Sequence, residues 1–363
     1  MAKYYSLKRI RKTKALYKMI IGQRSNGKTY AWADDLLDRR IKDGSTTGAY
    51  IRRNDIDITP KNLADLFKAH NIEEMSGGIW NDTEYRNRAF TLVRRSSDTG
   101  EVEERDSSPF CYTAALSNWE SRKGVDHGYV QTICFDEFMT RDAYLRDEFV
   151  KFMNVLSSFI RDRDGTEIFM LANTVNKYCP YFKEMGLIHV PEMEPGTIQT
   201  YELGDGETTV AVEMCAESQN TRKVKKYFAF DNPQLQMITA GSWEISLYPH
   251  CPIETTKYDI LKRFYIKFNG NMIAGDIIKS EKYLFILYHP HYKNYEIKED
   301  DIAYLETNDG LINHCKYIAD APTEAHKLIK QLIGTEREFY SDNETGEIIR
   351  NWKMNVSKLH RTY

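Results

Sequence analysis

The 363-residue sequence lacks several features that mark whole classes of protein. No apolar run reaches the roughly 20 residues that a membrane-spanning helix needs. The basic amino-terminal segment contains no hydrophobic stretch, so we do not expect it to be a signal peptide. Internal repeats and low-complexity tracts are also absent. The six cysteines show no C-x-x-C spacing, which favours free thiols in a reducing compartment.

The charge is nearly balanced, because 50 Lys and Arg residues face 53 Asp and Glu residues, giving a net charge of −3. The surface as a whole is therefore not that of a basic nucleic-acid-binding protein. Two basic clusters, in residues 1–18 and 222–226, are able to contact phosphates, although such clusters are more often solvated surface. His250, His289 and His291 are too isolated to predict a metal site.

Residues 22–29 read G-Q-R-S-N-G-K-T and match the phosphate-binding pattern G-x-x-x-x-G-K-T. The apolar residues 15–21 predict a buried strand before this loop, and residues 30–41 predict a helix after it. Backbone N–H groups in such a loop bind phosphates, the lysine reaches the β- and γ-phosphates, and the threonine binds Mg²⁺. The predicted nucleotide-binding residues of the loop are Gly22, Gln23, Arg24, Ser25, Asn26, Gly27, Lys28 and Thr29.

A second predicted strand, residues 130–135, ends in the acidic pair Asp136 and Glu137. Two carboxylates at the end of a buried strand are costly unless they have partners. In a P-loop enzyme Asp136 would bind nucleotide-associated Mg²⁺ together with Thr29, and Glu137 would polarise the attacking water. We therefore predict that Asp136 is a metal and nucleotide ligand and that Glu137 is catalytic. Two solvated acids at a strand end are the alternative.

A third strand, residues 167–172, is followed by Asn173. Ligands of open parallel sheets bind at the carboxyl ends of the strands, so Asn173 is a candidate nucleotide-binding residue that senses the γ-phosphate. An asparagine that caps the next turn is an equally good interpretation.

The order of predicted elements indicates an α/β fold with a mostly parallel sheet in residues 1–192. The chain then predicts a small linker subdomain in residues 193–250 and an α+β domain in residues 251–363. The last domain begins with three antiparallel strands, with a hairpin turn at Asn269-Gly270, and continues with a helix predicted over residues 308–335. This pattern is similar to the start of a ribonuclease-H-like fold. Its first strand carries basic residues and Asp276 stands alone, so we expect a degenerate nuclease without a two-metal site.

Several motifs follow one another in an order that resembles one family, the DNA-packaging ATPases (encapsidation proteins) of small tailed phages of the phi-29 kind. That family belongs to the additional-strand, catalytic-glutamate (ASCE) branch of P-loop NTPases. The matching motifs are residues 22–31, Tyr50-Ile51-Arg52-Arg53, residues 132–138, the pair Arg161 and Arg163, Asn173, and residues 179–182.

The resemblance implies a motor that uses ATP and Mg²⁺ to move double-stranded DNA into a preformed prohead. It implies a homo-oligomeric ring of five subunits on the phage portal, with a packaging RNA in some members. Such a motor acts in the cytoplasm of the host cell, without a membrane, and is not expected in the mature virion. Lys28 and Glu137 would be catalytic, together with Arg161 as an arginine finger from a neighbouring subunit and Arg163 as its reserve.

Other interpretations stay open at this stage. Arg161 and Arg163 could simply pair with nearby acids at a helix end, where cations are favoured. The ATPase could be a capsid-independent DNA translocase or a helicase, a P-loop small-molecule kinase, or a nucleotide-gated scaffold. Arg94, Arg95 and the tip 96–108 are candidates for DNA contact, although the tip also carries three glutamates.

Overall fold

The computed structural model describes residues 5–24, 26–118, 128–141, 144–145, 147–161, 163–174, 179–204, 206–216, 248–251, 259–280 and 283–357. The chain divides into two compact units, Met1–Glu244 and Ile245–Tyr363.

The first unit contains ten strands and six helices among its described residues. The strands are β1 (Tyr17–Gly22), β2 (Gly48–Arg52), β3 (Asp82–Arg86), β4 (Ala89–Arg95), β5 (Val102–Arg105), β6 (Cys111–Ala115), β7 (Thr132–Asp136), β8 (Glu167–Asn173), β9 (Ile198–Leu203) and β10 (Thr208–Met214). The helices are α1 (Lys8–Arg11), α2 (Lys28–Asp43), α3 (Pro60–Leu63), α4 (Ile72–Met75), α5 (Glu148–Ile160) and α6 (Pro180–Glu184).

These strands form one sheet in the order β3-β4-β6-β2-β7-β8-β1-β10-β9, with β5 paired to β4. The six central strands from β6 to β10 in this order run parallel, and β9, β4, β3 and β5 are added antiparallel at the two sides. Strand β8 lies between β1 and β7. The sheet therefore brings the carboxyl ends of β1, β7 and β8 to one edge, as the α/β prediction requires.

Helices cover both faces of the sheet and bury its apolar strands. Helix α2 places Trp32, Ala33, Leu36 and Leu37 in the core at helical spacing and ends at Gly44, whose φ is 68°. Helix α5 buries Phe152, Val155, Leu156 and Phe159 against the opposite face. The central strands read as continuous apolar runs because both of their faces are covered.

Strands β9 and β10 differ from the sequence prediction. Residues 193–250 were expected to form a linker subdomain, but β10 pairs with β1 over five register positions and belongs to the large sheet. Strand β9 then pairs antiparallel with β10. Residues 193–216 are thus part of the first unit, while 217–247, with the basic cluster 222–226, lie outside the described residues.

Among its described residues, the second unit has a six-stranded mixed sheet and two longer helices. Its elements are β11 (Ile260–Phe268), β12 (Asn271–Lys279), β13 (Leu284–Pro290), β14 (Ile302–Tyr304), β15 (His314–Cys315), α7 (Glu324–Leu332), β16 (Glu338–Tyr340) and α8 (Asn343–Ser357). The order is β15-β14-β11-β12-β13-β16. Asn269 and Gly270 have φ of 50° and 74° and make the predicted hairpin turn between β11 and β12.

The topology of this sheet agrees with the expected ribonuclease-H-like fold. Three antiparallel strands, β11 to β13, are followed by β14 and β15, which add in parallel on the side of β11. The helix predicted over residues 308–335 is wrong in extent, because residues 314–315 form a strand and α7 begins only at Glu324. The Thr323 side chain caps this later start by accepting from the His326 N–H.

Two further predictions, on membrane-spanning segments and on the cysteines, can be compared with the structure. Within the described ranges, no helix has the length and hydropathy needed to cross a bilayer. All six cysteines are free thiols; five are buried, and Cys251 is partly exposed.

Candidate nucleotide-binding and catalytic site

The phosphate-binding loop connects β1 to α2, as the sequence predicts. Gly27 precedes the helix with φ of 88°, a left-handed conformation that favours glycine. Gly22 is needed for a different reason, since a Cβ there would lie 2.6 Å from Cys215 Cβ. Gln23 is buried and Arg24 is exposed, whereas Ser25 lies outside the described residues. The loop is thus held between α2 and the segment that follows β10.

Lys28 lies inside the loop, where a phosphate-binding cation is required. Its Nζ donates to Gln23 O at 2.9 Å, Gly22 O at 3.3 Å and Asn26 Oδ1 at 3.1 Å. Burial lowers the pKa of Lys28 to about 8, with the Cys215 thiol and the Asp136 charge acting in the opposite direction. The loop therefore holds a desolvated ammonium group that a nucleotide phosphate can pair with.

Asp136, the last residue of β7, is surrounded by three hydrogen-bond donors. Its Oδ2 accepts from Thr29 Oγ1 at 3.0 Å and from Tyr50 OH at 2.8 Å. Its Oδ1 accepts from the Glu137 N–H at 3.0 Å. Burial raises the pKa of Tyr50, and the Asp136 charge raises it further, so the phenol stays protonated and donates. The two predicted metal ligands, Thr29 and Asp136, are thus adjacent.

Glu137 follows Asp136 in a left-handed backbone conformation with φ of 57°. Its side chain is 56% exposed. One carboxylate oxygen accepts from Arg52 Nη2 at 2.6 Å. The next residue returns to the sheet, because the Phe138 N–H donates to Leu171 O at 3.2 Å. Glu137 is therefore presented at the sheet edge as an accessible carboxylate.

Asn173 ends β8 and is the register partner of Gly22 on β1. Its Oδ1 accepts from Lys28 Nζ at 3.3 Å. This contact fits the nucleotide-sensing interpretation, because it places the Asn173 amide beside Lys28, the residue predicted to contact phosphate. The contact also joins the phosphate-binding loop to strand β8.

Arg161 and Arg163 lie in different surroundings at the end of α5. Arg161 is the C-cap residue with φ of 45°, and its exposed side chain donates from Nε to Ser158 O at 3.2 Å. Arg163 instead donates to the Gly128 carbonyl of its own chain. Arg161 is thus presented at the surface, while Arg163 ties two loops together. Asp162 lies outside the described residues.

The structure brings most of the predicted site together in two hydrogen-bonded pairs: Lys28 donates to Asn173, and Thr29 donates to Asp136. Sequence reasoning named Tyr50 only as part of a family motif and missed its contact with Asp136, because a tyrosine in an apolar strand looks like an ordinary core residue. It also missed Cys215, which is brought to the loop only by the pairing of β10 with β1. The DNA candidates Arg94 and Arg95 form ion pairs with Glu104 and Asp82, at 2.8 and 2.6 Å.

A phosphate-binding loop after β1, an acidic pair at the end of β7 and a strand inserted between them define a P-loop NTPase of the ASCE type. A sequence profile of the podovirus DNA encapsidation proteins (Gp16) matches residues 1–316. The chain belongs to this family of genome-packaging proteins, which confirms the resemblance drawn from its motifs. No curated protein sequence matches the chain.

Two solved packaging motors have a similar fold. The phi-28 gp11 DNA packaging motor is 17% identical, with 100% of each chain covered and a TM-score of 0.51. The bacteriophage phi-29 viral genome packaging motor assembly is 18% identical, with 98% of each chain covered and a TM-score of 0.55. At this identity the similarity shows a shared fold.

Proposed function

We propose that the protein is the ATPase of a phage genome-packaging motor and that it couples ATP hydrolysis to the movement of double-stranded DNA into a prohead. The contact of Thr29 with Asp136, beside Lys28, is the observation that carries the enzymatic part. Membership in the encapsidation family supports the biological part. A small-molecule kinase would leave the acidic pair at the end of β7 without a role.

The residues present fit a magnesium nucleotide. Thr29 Oγ1 and Asp136 Oδ2, 3.0 Å apart, are the hard oxygen donors that Mg²⁺ prefers. Within the described parts of the chain, no group of three or more His, Cys, Asp or Glu residues is suited to hold a metal ion by itself. Such a site would therefore need phosphate oxygens as ligands, which is the usual way in which Mg²⁺ binds to ATPases. Bound Mg²⁺ would neutralise charge on the phosphates.

The protein groups would divide the remaining work among them. Lys28 would neutralise the β- and γ-phosphate oxygens from inside the loop, and Asn173 would report on the γ-phosphate through its contact with that lysine. Glu137, exposed at the sheet edge, would accept a proton from the attacking water. Its ion pair with Arg52 would have to open for this step, so that the carboxylate can turn to the attacking water.

Arg161 would act as a finger in the site of a neighbouring subunit. Its exposure at the end of α5 supports a role outside its own subunit, and the contact of Arg163 with Gly128 O supports a role inside its own. Such fingers raise rates by roughly 10³–10⁵. A finger of this kind requires a neighbouring subunit, which supports a homo-oligomeric ring; five subunits is what the family resemblance implies.

The DNA contacts of the motor would be made to phosphates, since packaging has to be independent of sequence. The ion pairs of Arg94 and Arg95 argue against these two residues as the main contacts. We place the protein in the host cytoplasm, on the portal of the prohead and absent from the mature virion. A packaging RNA remains a further proposed partner.

The deciding experiment is DNA packaging by purified proheads, this protein and ATP, scored as DNA protected from nuclease. We expect ATP-dependent protection with wild type and none with Glu137→Gln, whose hydrolysis rate should fall by about 10²–10⁴ while ADP binding is retained. The matched control is Glu184→Gln, because Glu184 is exposed on α6 and should tolerate the change. Equal packaging by Glu137→Gln and wild type would contradict the assignment. DNA-stimulated hydrolysis that never needs proheads would instead identify a capsid-independent translocase.

A further inference from the structure

We infer that the buried ion pair between Arg53 and Glu148 positions the catalytic turn at Glu137, so that both residues control hydrolysis without contacting the nucleotide. This inference rests on the proposed function, because it assigns a role relative to Glu137. It concerns a group of residues that the sequence motifs do not explain, apart from the presence of Arg53 in the Tyr50-Ile51-Arg52-Arg53 motif.

Arg53 holds the catalytic turn by its backbone. Its Nη1 donates to Glu137 O at 3.0 Å and its Nη2 donates to Phe138 O at 2.6 Å. The rest of the guanidinium is directed to Glu148, with Nε donating to the two carboxylate oxygens at 2.9 and 3.1 Å. One planar cation therefore joins two carbonyls of the turn to one carboxylate, a geometry that a lysine cannot reproduce.

Glu148 also accepts hydrogen bonds from residues other than Arg53. It accepts from Tyr181 OH at 3.0 Å and from the Leu145 N–H at 2.7 Å. Its side chain is 1% exposed and that of Arg53 is 9% exposed. Glu148 is also the first residue of α5, where a negative charge is favoured by the helix N-terminus. The carboxylate thus fixes Arg53 to α5 and α6 with its acceptor positions occupied.

The backbone of Glu137 explains why such a support is needed. A glutamate at φ of 57° is strained, and a strained residue persists only where its surroundings hold it there. Arg53 supplies two of the hydrogen bonds that fix this turn. Displacing a catalytic group by about 1 Å lowers rates by about 10²-fold, so loss of the support should appear in catalysis before it appears in binding.

Two aromatic rings also help to hold the Arg53 guanidinium in place. Its Cζ lies 5.0 Å from the ring centroid of Tyr144 and 6.0 Å from that of Phe135 on β7. Aromatic faces attract such a cation and restrict its plane. Arg53 therefore also packs against β7, the strand that ends in Asp136.

The test uses the full-length protein and separates catalysis from binding and from stability. We would measure kcat and KM for ATP, the Kd for ADP and the thermal midpoint of wild type, Glu148→Gln and Arg53→Lys. We expect kcat to fall about tenfold or more in Glu148→Gln, with KM and the ADP Kd changed by less than about threefold. Arg53→Lys keeps the positive charge but loses the forked guanidinium, so its kcat should lie between those of wild type and Glu148→Gln.

The chain offers a matched control in a second buried ion pair of the same unit. Arg40 donates to Asp106 at 2.7 and 3.0 Å, with 2% of its side chain exposed, and it also contacts Ser108 and not the catalytic turn. Asp106→Asn should lower the thermal midpoint as Glu148→Gln does, yet leave kcat within about twofold of wild type. Should Glu148→Gln fail to fold, Tyr181→Phe removes one hydrogen bond from Glu148 and should lower kcat in the same direction.

A kcat of Glu148→Gln within twofold of wild type would overturn the inference, as would an equal loss of kcat in Asp106→Asn. For Tyr181→Phe, a kcat equal to that of wild type would do the same. These results differ from failure of the proposed function, in which wild type itself would not hydrolyse ATP or Glu137→Gln would stay fully active.

Discussion

The hydroxyl group of Tyr50 shares its acceptor with the predicted metal-binding threonine. Both Tyr50 OH and Thr29 Oγ1 donate to Oδ2 of Asp136, at 2.8 and 3.0 Å. A carboxylate that has to bind a cation keeps its orientation when a neighbouring donor holds it. Tyr50 is thus an outer partner of the site, although it lies inside a buried strand.

Replacing Tyr50 with Phe should weaken the metal dependence of nucleotide binding. Partners of this kind change metal affinity by about 10–100-fold, so Tyr50→Phe should need about tenfold more Mg²⁺ for half-maximal ADP binding. The measurement is a titration of ADP affinity against Mg²⁺. Tyr85→Phe is the matched control, because Tyr85 OH is bonded to Ile58 O and Thr113 Oγ1 elsewhere in the same unit. An unchanged Mg²⁺ requirement in Tyr50→Phe would contradict this role.

The residues of the site could be predicted where a motif fixes both type and spacing, as for Lys28, Thr29, Asp136 and Glu137. The roles of Tyr50, Glu148 and Cys215 could not, because each depends on a partner at least 86 positions away along the chain. Arg53 was noticed, but its sequence position at a strand end did not reveal that it turns back to Glu137 O.

At the scale of elements, three polar side chains, one from each of the strands β11, β12 and β13, are hydrogen-bonded to one another across the sheet. Asp276 on β12 accepts two hydrogen bonds from Arg263 on β11, at 2.6 and 2.7 Å, and one from His289 on β13 at 3.1 Å. These two partners hold the pKa of Asp276 at about 2, against the opposing effect of burial. An arginine thus neutralises the lone acid of strands β11 to β13.

The same group makes the stability of the second unit depend on pH. The pKa of His289 is raised, chiefly by its hydrogen bond to Asp276, although nearby Arg263 opposes this effect. A histidine of this kind stabilises fully below about pH 6.5 and loses its contribution as pH rises through its higher folded pKa. The depressed pKa of Asp276 acts at the other end, where its contribution is lost as pH falls from about 3.8 to about 2.

We expect the thermal midpoint of wild type to fall between pH 6 and pH 9 because of His289, and to fall less in His289→Gln. Melting curves followed by circular dichroism at the two pH values measure this. His189→Gln is the control, since that imidazole is exposed and lies in the first unit. The same decrease in His289→Gln as in wild type would exclude this histidine as the cause.

Elements were predictable where a long apolar run or a regular helical spacing was present, as in β1, β7, β8, α2 and α5. Strand β10 was assigned to the wrong unit because its place is decided by pairing with β1, about 190 positions earlier in the sequence. The residues between it and β8 contain prolines and glycine, which resemble a boundary between domains. Local pattern carries no signal for a pairing across such a distance.

At the scale of the whole molecule, the exposed residues of α5 lie on one stripe. Val150, Asn154, Ser157 and Arg161 are exposed at helical spacing, while the opposite side of α5 is buried in the core. The stripe ends at Arg161, the residue proposed to reach a neighbouring subunit. Loss of Arg161 should therefore lower ATP hydrolysis in a neighbouring subunit whose own sequence is unchanged.

Mixing experiments test this expectation. In assemblies of Arg161→Ala with wild type on proheads, packaging should fall more steeply than the fraction of wild-type subunits, because each altered subunit disables the site of its neighbour. Arg163→Ala is the matched control, since this arginine bonds within its own chain and should act in proportion to its fraction. A linear decrease with Arg161→Ala would remove the finger assignment.

The distribution of thiols has a practical consequence for observing such a motor. Five of the six cysteines are buried, including Cys215 beside the phosphate-binding loop, and only Cys251 is partly exposed. A dye that reacts with thiols should therefore attach first to Cys251, at a known position in the second unit and without an engineered residue. Fluorescence from that position could follow single subunits while the loop and its neighbouring cysteine stay unmodified.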